Sequence, residues 1–311
     1  MQYITSFFDS RIDVPTAISV GKFDGLHRGH ELLLNRIRSK TPELASCLVT
    51  FDIPPKNRID HEEGRSLLTR EERKSELMGR KIDYLLECPF TDRFMKLSPE
   101  EFIQTLVSNF SMKYMAIGRD FRFGYKGAGD IEALEELSKK YGFTYDVIDK
   151  ISYKGREISS TYIREDIEKG KVEEAHELLG YPYFIWGEII HGNHIGTGMG
   201  VPTINQLPPR EKLLPPKGVY ITEVEIDHRV FHGVTDIGVK PTVQTDGRMG
   251  VETHILDFKA DVYEKEAKVL FLKYLRPEMK FDSLEDLKTQ ILSDSHAALD
   301  YFNKKSGLQA I

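Results

Sequence analysis

The chain has 311 residues, 40% of them hydrophobic and 30% charged, with a formal net charge of −6 at pH 7. That length fits two domains of ordinary globular composition, and the acidic balance speaks against a nucleic-acid binder, for which a basic excess is the rule. No apolar run reaches the ~18 residues that a membrane helix needs, Met1-Gln2-Tyr3-Ile4-Thr5 lacks the charged start and apolar core of a signal peptide, and Cys47 and Cys88 give no disulfide framework, so a cytoplasmic setting with neither nucleic acid nor membrane as partner is the expectation.

The first half alternates strand-like and helix-like segments. Within a β-rich run from Thr16, Ala17 to Val20 reads as a buried strand, followed by a helix over Glu31 to Arg38 with Leu33, Leu34 and Ile37 facing inward. Ala45 to Phe51 reads as a second strand, stopped by Pro54-Pro55. Thr69-Arg70-Glu71-Glu72 has the form of a capping box and opens a helix that runs to about Met78. Tyr84 to Glu87 reads as a third strand. Ser98 caps a helix with Pro99 at its first position. Tyr114 to Gly118 forms a strand leading into a Gly-rich loop, Asp130 to Tyr141 a helix, and Tyr145 to Ile148 a further strand. This βαβα order predicts a doubly wound parallel sheet, with ligands beyond the carboxyl ends of its strands. One helix from Arg164 to Leu179 is expected to join the two lobes.

Beyond Tyr181 the helical period gives way to short alternating strands: Tyr183 to Ile190, Gly218 to Ile226, Val230 to Ile237, Val251 to Leu256 and Ala267 to Tyr274. A closing helix over Ser283 to Leu292 places Leu284, Leu287 and Ile291 at helical spacing. The fold class expected is α/β: a domain over residues 1–182 built on a parallel sheet, and a small antiparallel β-barrel with a terminal helix over residues 183–311.

Candidate chemistry starts at Gly21-Lys22-Phe23-Asp24-Gly25-Leu26-His27-Arg28-Gly29-His30. His27 and His30 lie three positions apart, so at a helix start both imidazoles can point the same way. Unpaired amides and the helix dipole favour an anion there. Gly25 and Gly29 let the backbone come close. Half of a metal site is the competing reading, but zinc needs three or four ligands and the cysteines are not spaced to supply them. The whole string resembles the GxFDGxHxGH signature of the nucleotidyltransferase superfamily, in the form carried by prokaryotic FAD synthetases. Two later segments carry the same resemblance: Gly118-Arg119-Asp120-Phe121-Arg122-Phe123-Gly124 matches GxDFRFG, and Ile158-Ser159-Ser160-Thr161-Tyr162-Ile163-Arg164 matches ISSTxIR. Read from residue types alone, the first of these is a basic surface loop and the second a helix start capped by Ser160 or Thr161.

The resemblance implies that FMN phosphate attacks the α-phosphorus of ATP, giving FAD and pyrophosphate, with Mg²⁺ accompanying the nucleotide. It implies that His27 and His30 contact phosphate oxygens and that Arg164 balances the leaving pyrophosphate. Gly21, Phe23, Asp24, Gly25, Gly29, Ser159, Ser160 and Thr161 would line the nucleotide, and Asp120, Phe121 and Phe123 the flavin. One departure is visible: Phe51-Asp52-Ile53-Pro54-Pro55 has Pro54 where the family's Phe-x-Pro-His-Pro segment has a histidine.

The second half resembles riboflavin kinase, the usual C-terminal partner in these synthetases. Gly200-Val201-Pro202-Thr203-Ile204-Asn205 is similar to GFPTAN, Val251-Glu252-Thr253-His254-Ile255 to VEVHL, and Leu275-Arg276-Pro277-Glu278-Met279-Lys280-Phe281 to LRxExKF. Thr203 and Asn205 project to one side of an extended segment as oxygen ligands suited to Mg²⁺; a common turn is the plain alternative. The resemblance implies that Glu252 acts as general base on the ribityl hydroxyl, which a glutamate on such a strand could reach; a solvated glutamate on an alternating strand is the plain alternative. The resemblance adds Gly196 and Gly200 as nucleotide contacts and Arg276 near the flavin. Thr197 replaces an arginine and Asp236 an asparagine of the family pattern. The expected function is a bifunctional enzyme that phosphorylates riboflavin and adenylylates FMN. Two alternatives stay open: an adenylyltransferase whose barrel has little or no kinase activity, and a non-catalytic flavin-binding regulator.

Overall fold

A computed structural model of the chain describes residues 1–52, 65–191, 202–239, 248–258 and 260–309. It divides into two compact units, Met1–Ser160 and Thr161–Ile311.

The first unit is a six-stranded, fully parallel sheet in the order β1-β4-β3-β2-β5-β6. Its strands are β1 (Gln2–Ile4), β2 (Thr16–Val20), β3 (Ala45–Phe51), β4 (Tyr84–Cys88), β5 (Met112–Gly118) and β6 (Thr144–Ile148). β2 and the middle of β3 are buried at every position, the pattern of strands covered on both faces. Their polar residues are satisfied internally: Thr16 Oγ1 donates to the Phe110 carbonyl at 2.7 Å and Ser19 Oγ to that of Ala116 at 2.9 Å. β3 lies on one side of β2 and β5 on the other, so the winding reverses at β2, and ligands of such sheets bind where it does.

Helices α1 (Arg28–Arg38), α2 (Arg70–Gly79), α3 (Asp92–Met95), α4 (Pro99–Phe110) and α5 (Ile131–Tyr141) connect these strands. Both expected caps form. Thr69 and Glu72 make a reciprocal capping box at α2, as do Ser98 and Glu101 at α4, where Pro99 opens the helix. Asp130 lies outside its helix as the cap of α5. Leu34 and Ile37 are buried on α1, whereas Leu33 is half-buried. β1 and α3, too short to carry a period, and the hairpin of β7 (Ser152–Tyr153) and β8 (Arg156–Glu157) are additions to the expected elements.

The helix expected over Arg164 to Leu179 is two helices, α6 (Ser160–Glu168) and α7 (Val172–Leu179). Gly170 takes φ +73, and the amides of Lys169 and Lys171 both turn back to the Asp166 carbonyl, which ends α6. α7 then buries Val172, Ala175, Leu178 and Leu179 and packs against β14 and β9 of the second unit.

That unit is a curled antiparallel sheet ordered β10-β13-β12-β11-β14-β9. The strands are β9 (Tyr183–Glu188), β10 (Thr203–Gln206), β11 (Gly218–Ile226), β12 (Arg229–Val239), β13 (Met249–Ile255) and β14 (Glu266–Arg276). Its two edges meet through an Ile190–Asn205 bridge, and Gln206 Nε2 donates at 2.8 Å to the carbonyls of both Gly187 and Ala267. Inside, the hydroxyls of Thr222, Thr235 and Thr253 form a ladder with 2.8 Å steps across three strands. Each buried hydroxyl thereby has a partner, which burial requires.

The terminal helix α8 (Leu284–Gln309) is far longer than the expected Ser283–Leu292, and its expected apolar stripe is not what it buries. Leu284 is exposed and Leu287 and Ile291 only half-buried; Asp294, Ser295, Ala298 and Phe302 are the buried positions. Ala298 and Phe302 join a core cluster with Val219, Ile221, Val234 and Leu272. Arg276 fixes the register by gripping the buried Asp294 with Nε at 3.1 Å and Nη2 at 2.7 Å, while Gln290 Nε2 donates to Asp294 at 2.9 Å.

Asp294→Ala leaves the Arg276 guanidinium without its partner in a largely buried position, and the expected loss is about 3 kcal/mol of stability in this unit. Urea unfolding followed by the fluorescence of Trp186, the single tryptophan, reads that loss directly. Replacing Arg276 and Asp294 together by Met and Leu recovers most of it.

Candidate active sites

The carboxyl end of β2 runs into a turn that delivers α1, and His27 is the cap between them. Its backbone is extended (φ −67, ψ 172), and its Nδ1 accepts the His30 amide at 3.3 Å. An imidazole that accepts at Nδ1 carries its proton on Nε2 when neutral. The His27 and His30 rings stack at 3.7 Å between centroids, tilted by 17°, and Phe23 lies 5.0 Å from His30 on the other side. The buried His30 Nδ1 has no hydrogen-bond partner among the described residues.

Burial pushes the His27 imidazole down to about 4. Burial, and then the neighbouring His27, hold His30 well below the usual histidine range. Both rings are neutral at pH 7 and act there as hydrogen-bonding groups, not as cations.

The turn is tightly determined. Phe23, Gly25 and Leu26 all have positive φ (49, 82 and 40). A side chain at Gly29 would begin 3.2 Å from the His27 ring, so glycine there leaves the ring its place. At Gly21 an added Cβ would meet the buried Phe23 ring at 3.1 Å. The Asp24 carboxylate accepts the Leu67 and Leu68 amides at 2.9 and 3.2 Å, and the Asp24 carbonyl accepts the Ser160 hydroxyl at 2.8 Å. Ser160 is therefore inside α6 and bonded to the β2–α1 turn, in place of the capping role read from its residue type. Ser159 precedes the helix, Thr161 is exposed on it, and Arg164 is half-buried on it and falls within the second unit.

The Gly118 to Gly127 loop is less cationic than its composition suggests. Arg119 pairs with Asp149, Arg122 with Asp130 at 2.9 Å, and Asp120 with Lys150 at 3.1 Å. Phe123 is buried and exchanges backbone hydrogen bonds with Gly129, whereas Phe121 is half-buried and stacks on Phe123 at 5.4 Å. Phe121 is thus the aromatic face of the pair with surface to offer.

In the second unit, Thr203, Asn205, Glu252 and Asp236 share one face of the sheet, the one opposite the Thr222, Thr235 and Thr253 hydroxyls. Asn205 is in register with Glu252, and Glu252 with Asp236. Thr203 Oγ1 donates to Glu252 Oε1 at 2.7 Å. Arg276 is committed to Asp294 and to the Pro277 carbonyl, which gives it an anchoring part in the fold. Gly196, Thr197, Gly200 and Pro54 lie outside the described residues. Among the described residues no three His, Cys, Asp or Glu side chains gather as a metal cage. A cation here would rest on the neutral oxygens of Thr203 and Asn205 beside Glu252, a set suited to a hard divalent ion that keeps waters and substrate phosphates as its other ligands.

Three residues around the first site carry no motif: Thr50, Arg73 and Glu87. Arg73 donates to the Lys22 and Phe51 carbonyls and to the buried Glu87, and Thr50 Oγ1 also donates to Lys22. The one available signal was a glutamate inside the apolar run Tyr84-Leu85-Leu86-Glu87-Cys88, since a charge so placed needs a partner.

The neutral state of His27 has a pH consequence. Its folded pKa lies below its unfolded one, so the unfolded chain gains protons first as the pH falls. Stability from this group is complete above about 6.5 and is lost as the pH drops towards 4. His27→Asn keeps a cap of high quality without titrating, so the stability gap between parent and variant narrows from pH 7 to pH 4.5. Urea titrations of the first unit by NMR check this, and the His27 Cε1 proton should titrate with a midpoint near 4.

Comparisons with known proteins agree on one family. Residues 9–162 match the family model described as FAD synthetase, and residues 179–302 the one described as riboflavin kinase. A bifunctional riboflavin kinase/FMN adenylyltransferase of Pseudomonas fluorescens is 36% identical over 284 residues, covering 90% of this chain and 91% of that protein. The protein of the same name from Escherichia coli K12 is 34% identical over 290 residues, 92% of each chain. A crystal structure from Streptococcus pneumoniae, described as a macrolide-efflux protein, superposes with a TM-score of 0.85 at 27% identity and covers 96% of this chain and 99% of that one. No helix among the described residues is long and apolar enough to cross a membrane. With both of its units matched and its relatives aligned over nearly their whole length, the chain belongs to the family of bifunctional riboflavin kinase/FMN adenylyltransferases.

Proposed function

We propose that this chain makes FAD from riboflavin in two ATP-dependent steps, phosphorylation in the second unit and adenylylation in the first. The observation that carries the adenylyl-transfer reading is the stacked, neutral His27–His30 pair at the start of α1, beyond the carboxyl end of the strand where the sheet's winding reverses. An FMN phosphate oxygen attacks the α-phosphorus of ATP, the bond from that phosphorus to the bridging oxygen breaks, and pyrophosphate leaves. The chain's part is to position the two phosphates in line and to stabilise charge that grows on the transferring group. His27, with its proton on Nε2, and His30 supply hydrogen bonds to those oxygens without the desolvation cost of buried cations. The positive end of the α1 dipole adds to them, and the ISSTxIR resemblance assigns Arg164 to balancing the leaving pyrophosphate. The isoalloxazine ring stacks on Phe121.

In the second unit Glu252 takes the proton from the ribityl hydroxyl as that oxygen attacks the γ-phosphorus, and ADP leaves. The Thr203 hydroxyl, 2.7 Å from Glu252, keeps the carboxylate aimed. Mg²⁺ carried by ATP would be held by Thr203 and Asn205 and would neutralise phosphate charge. Buried free thiols at Cys47 and Cys88 suit a reducing, cytoplasmic compartment.

Purified chain incubated with ATP, Mg²⁺ and either riboflavin or FMN should yield FAD from both. FAD from FMN alone would reduce the barrel to a binding module, and no conversion would overturn the whole reading. His30→Ala is expected to lower FAD formation from FMN by roughly a hundredfold or more, the scale for one lost preorganised donor; near-normal turnover removes the histidine assignment. Glu252→Gln is expected to slow riboflavin phosphorylation by at least about a hundredfold, the scale of general-base catalysis, with a flavin chromatogram as readout.

A further inference from the structure

The turn from β2 into α1 holds a backbone that its residue types do not favour. Phe23 and Leu26 both take positive φ without being glycine, and such conformations persist only where the surroundings over-determine them. The turn is pinned at Lys22, one residue before the first of them. Its carbonyl accepts Arg73 Nη1 at 3.2 Å and Thr50 Oγ1 at 3.1 Å.

Arg73 reaches Lys22 from α2, and its guanidinium is itself fixed from two further directions. Nη2 donates to the Phe51 carbonyl at the end of β3 at 2.9 Å, and to Glu87 Oε1 on β4 at 2.8 Å. Glu87 is 97% buried, and its other oxygen takes Arg70 and Tyr3. The Arg73 side chain is 11% exposed. α2 starts at a firm place because the Thr69–Glu72 capping box sets its first turn. One planar fork thus joins the ends of two strands to the turn that presents Phe23, His27 and His30. A lysine has one nitrogen and cannot satisfy three acceptors in that plane.

We propose that Arg73 is a positioning residue for adenylyl transfer, holding the Lys22 carbonyl and through it the direction in which the β2–α1 turn delivers the two histidines. This inference rests on the adenylyl-transfer reading of the first unit. Its hydrogen bonds run to Lys22, Phe51 and Glu87 and to neither imidazole, so it acts through the turn.

Arg73→Lys keeps a positive charge beside Glu87 and loses the fork. Its kcat for FAD formation from FMN is expected to fall roughly tenfold or more while KM for ATP stays within about threefold, because small misplacements of reacting groups cost rate before they cost binding. Riboflavin phosphorylation by the same variant should stay within about twofold of the parent, since sites with no shared partners act independently. Amide hydrogen exchange in the peptide spanning residues 21–30 should quicken. Thr50→Val removes the other donor to the Lys22 carbonyl with the Arg73–Glu87 pair intact, and should shift kcat and exchange in the same direction by less. It also serves as the test should Arg73→Lys fail to fold.

An Arg73→Lys enzyme with parental kcat and exchange overturns the proposal, as does a neutral Thr50→Val where the lysine variant does not fold. Equal losses of both activities together with a lower Tm also overturn it, because they mark Arg73 as a general stabiliser. A parent that makes no FAD from FMN defeats the adenylyl-transfer reading instead, and the exchange measurements still decide whether Arg73 holds the turn.

Discussion

The hydrogen bond from the His30 amide to His27 Nδ1 is the interaction on which the first site depends. It starts α1, because the cap takes an amide that the helix leaves unpaired. It also decides chemistry. With Nδ1 occupied as an acceptor, the proton of His27 belongs on Nε2, and burial keeps the ring neutral down to about pH 4. The stacked His30 then lies beside an uncharged neighbour, so two imidazoles fit within 3.7 Å without mutual repulsion. A pair of charged histidines could not be stacked there at this depth without a counter-ion.

Polar groups do similar work in the second unit. A barrel of short strands has to close without leaving an unpaired edge. The Ile190–Asn205 bridge and the doubly donating Gln206 side chain tie β9 to β10, while the threonine ladder satisfies three hydroxyls within the sheet. Inward positions are thereby fixed, and with them the opposite face that carries Thr203, Asn205 and Glu252. Because side chains alternate along a strand, a one-residue slip of β10 would carry Thr203 and Asn205 inside and lose the Glu252 contact. Arg276 and Asp294 serve the same end by holding a long helix against β14, so a residue whose motif suggested the flavin is found bearing a structural load.

Much of this was legible residue by residue. Thr69 with Glu72, and Ser98 with Pro99 and Glu101, announce helix starts through local chemistry, and both formed as read. The strand Ala45–Phe51 was bounded correctly because a β-branched and apolar run ends at a proline pair. The break at Gly170 was not, since a single glycine between lysines is also tolerated inside a helix. α8 misled for a different reason. Leu284, Leu287 and Ile291 have the spacing of a buried stripe, yet the helix buries an aspartate and a serine further on, because Asp294 has a partner 18 residues away that no period reveals.

The two-part organisation, the parallel and antiparallel classes of the sheets, and the motif at the carboxyl end of β2 can all be read from residue order alone. Those follow from hydrophobic period, caps and turn residues, which act over a few positions. The neutral state and stacking of His27 and His30, the hold of Thr50 and Arg73 on Lys22, the tie from Ser160 to Asp24, and the commitment of Arg276 to Asp294 emerge with packing. Each of these joins segments distant in the chain or depends on exclusion of water, and burial and long-range pairing are properties of the packed molecule that no local pattern encodes.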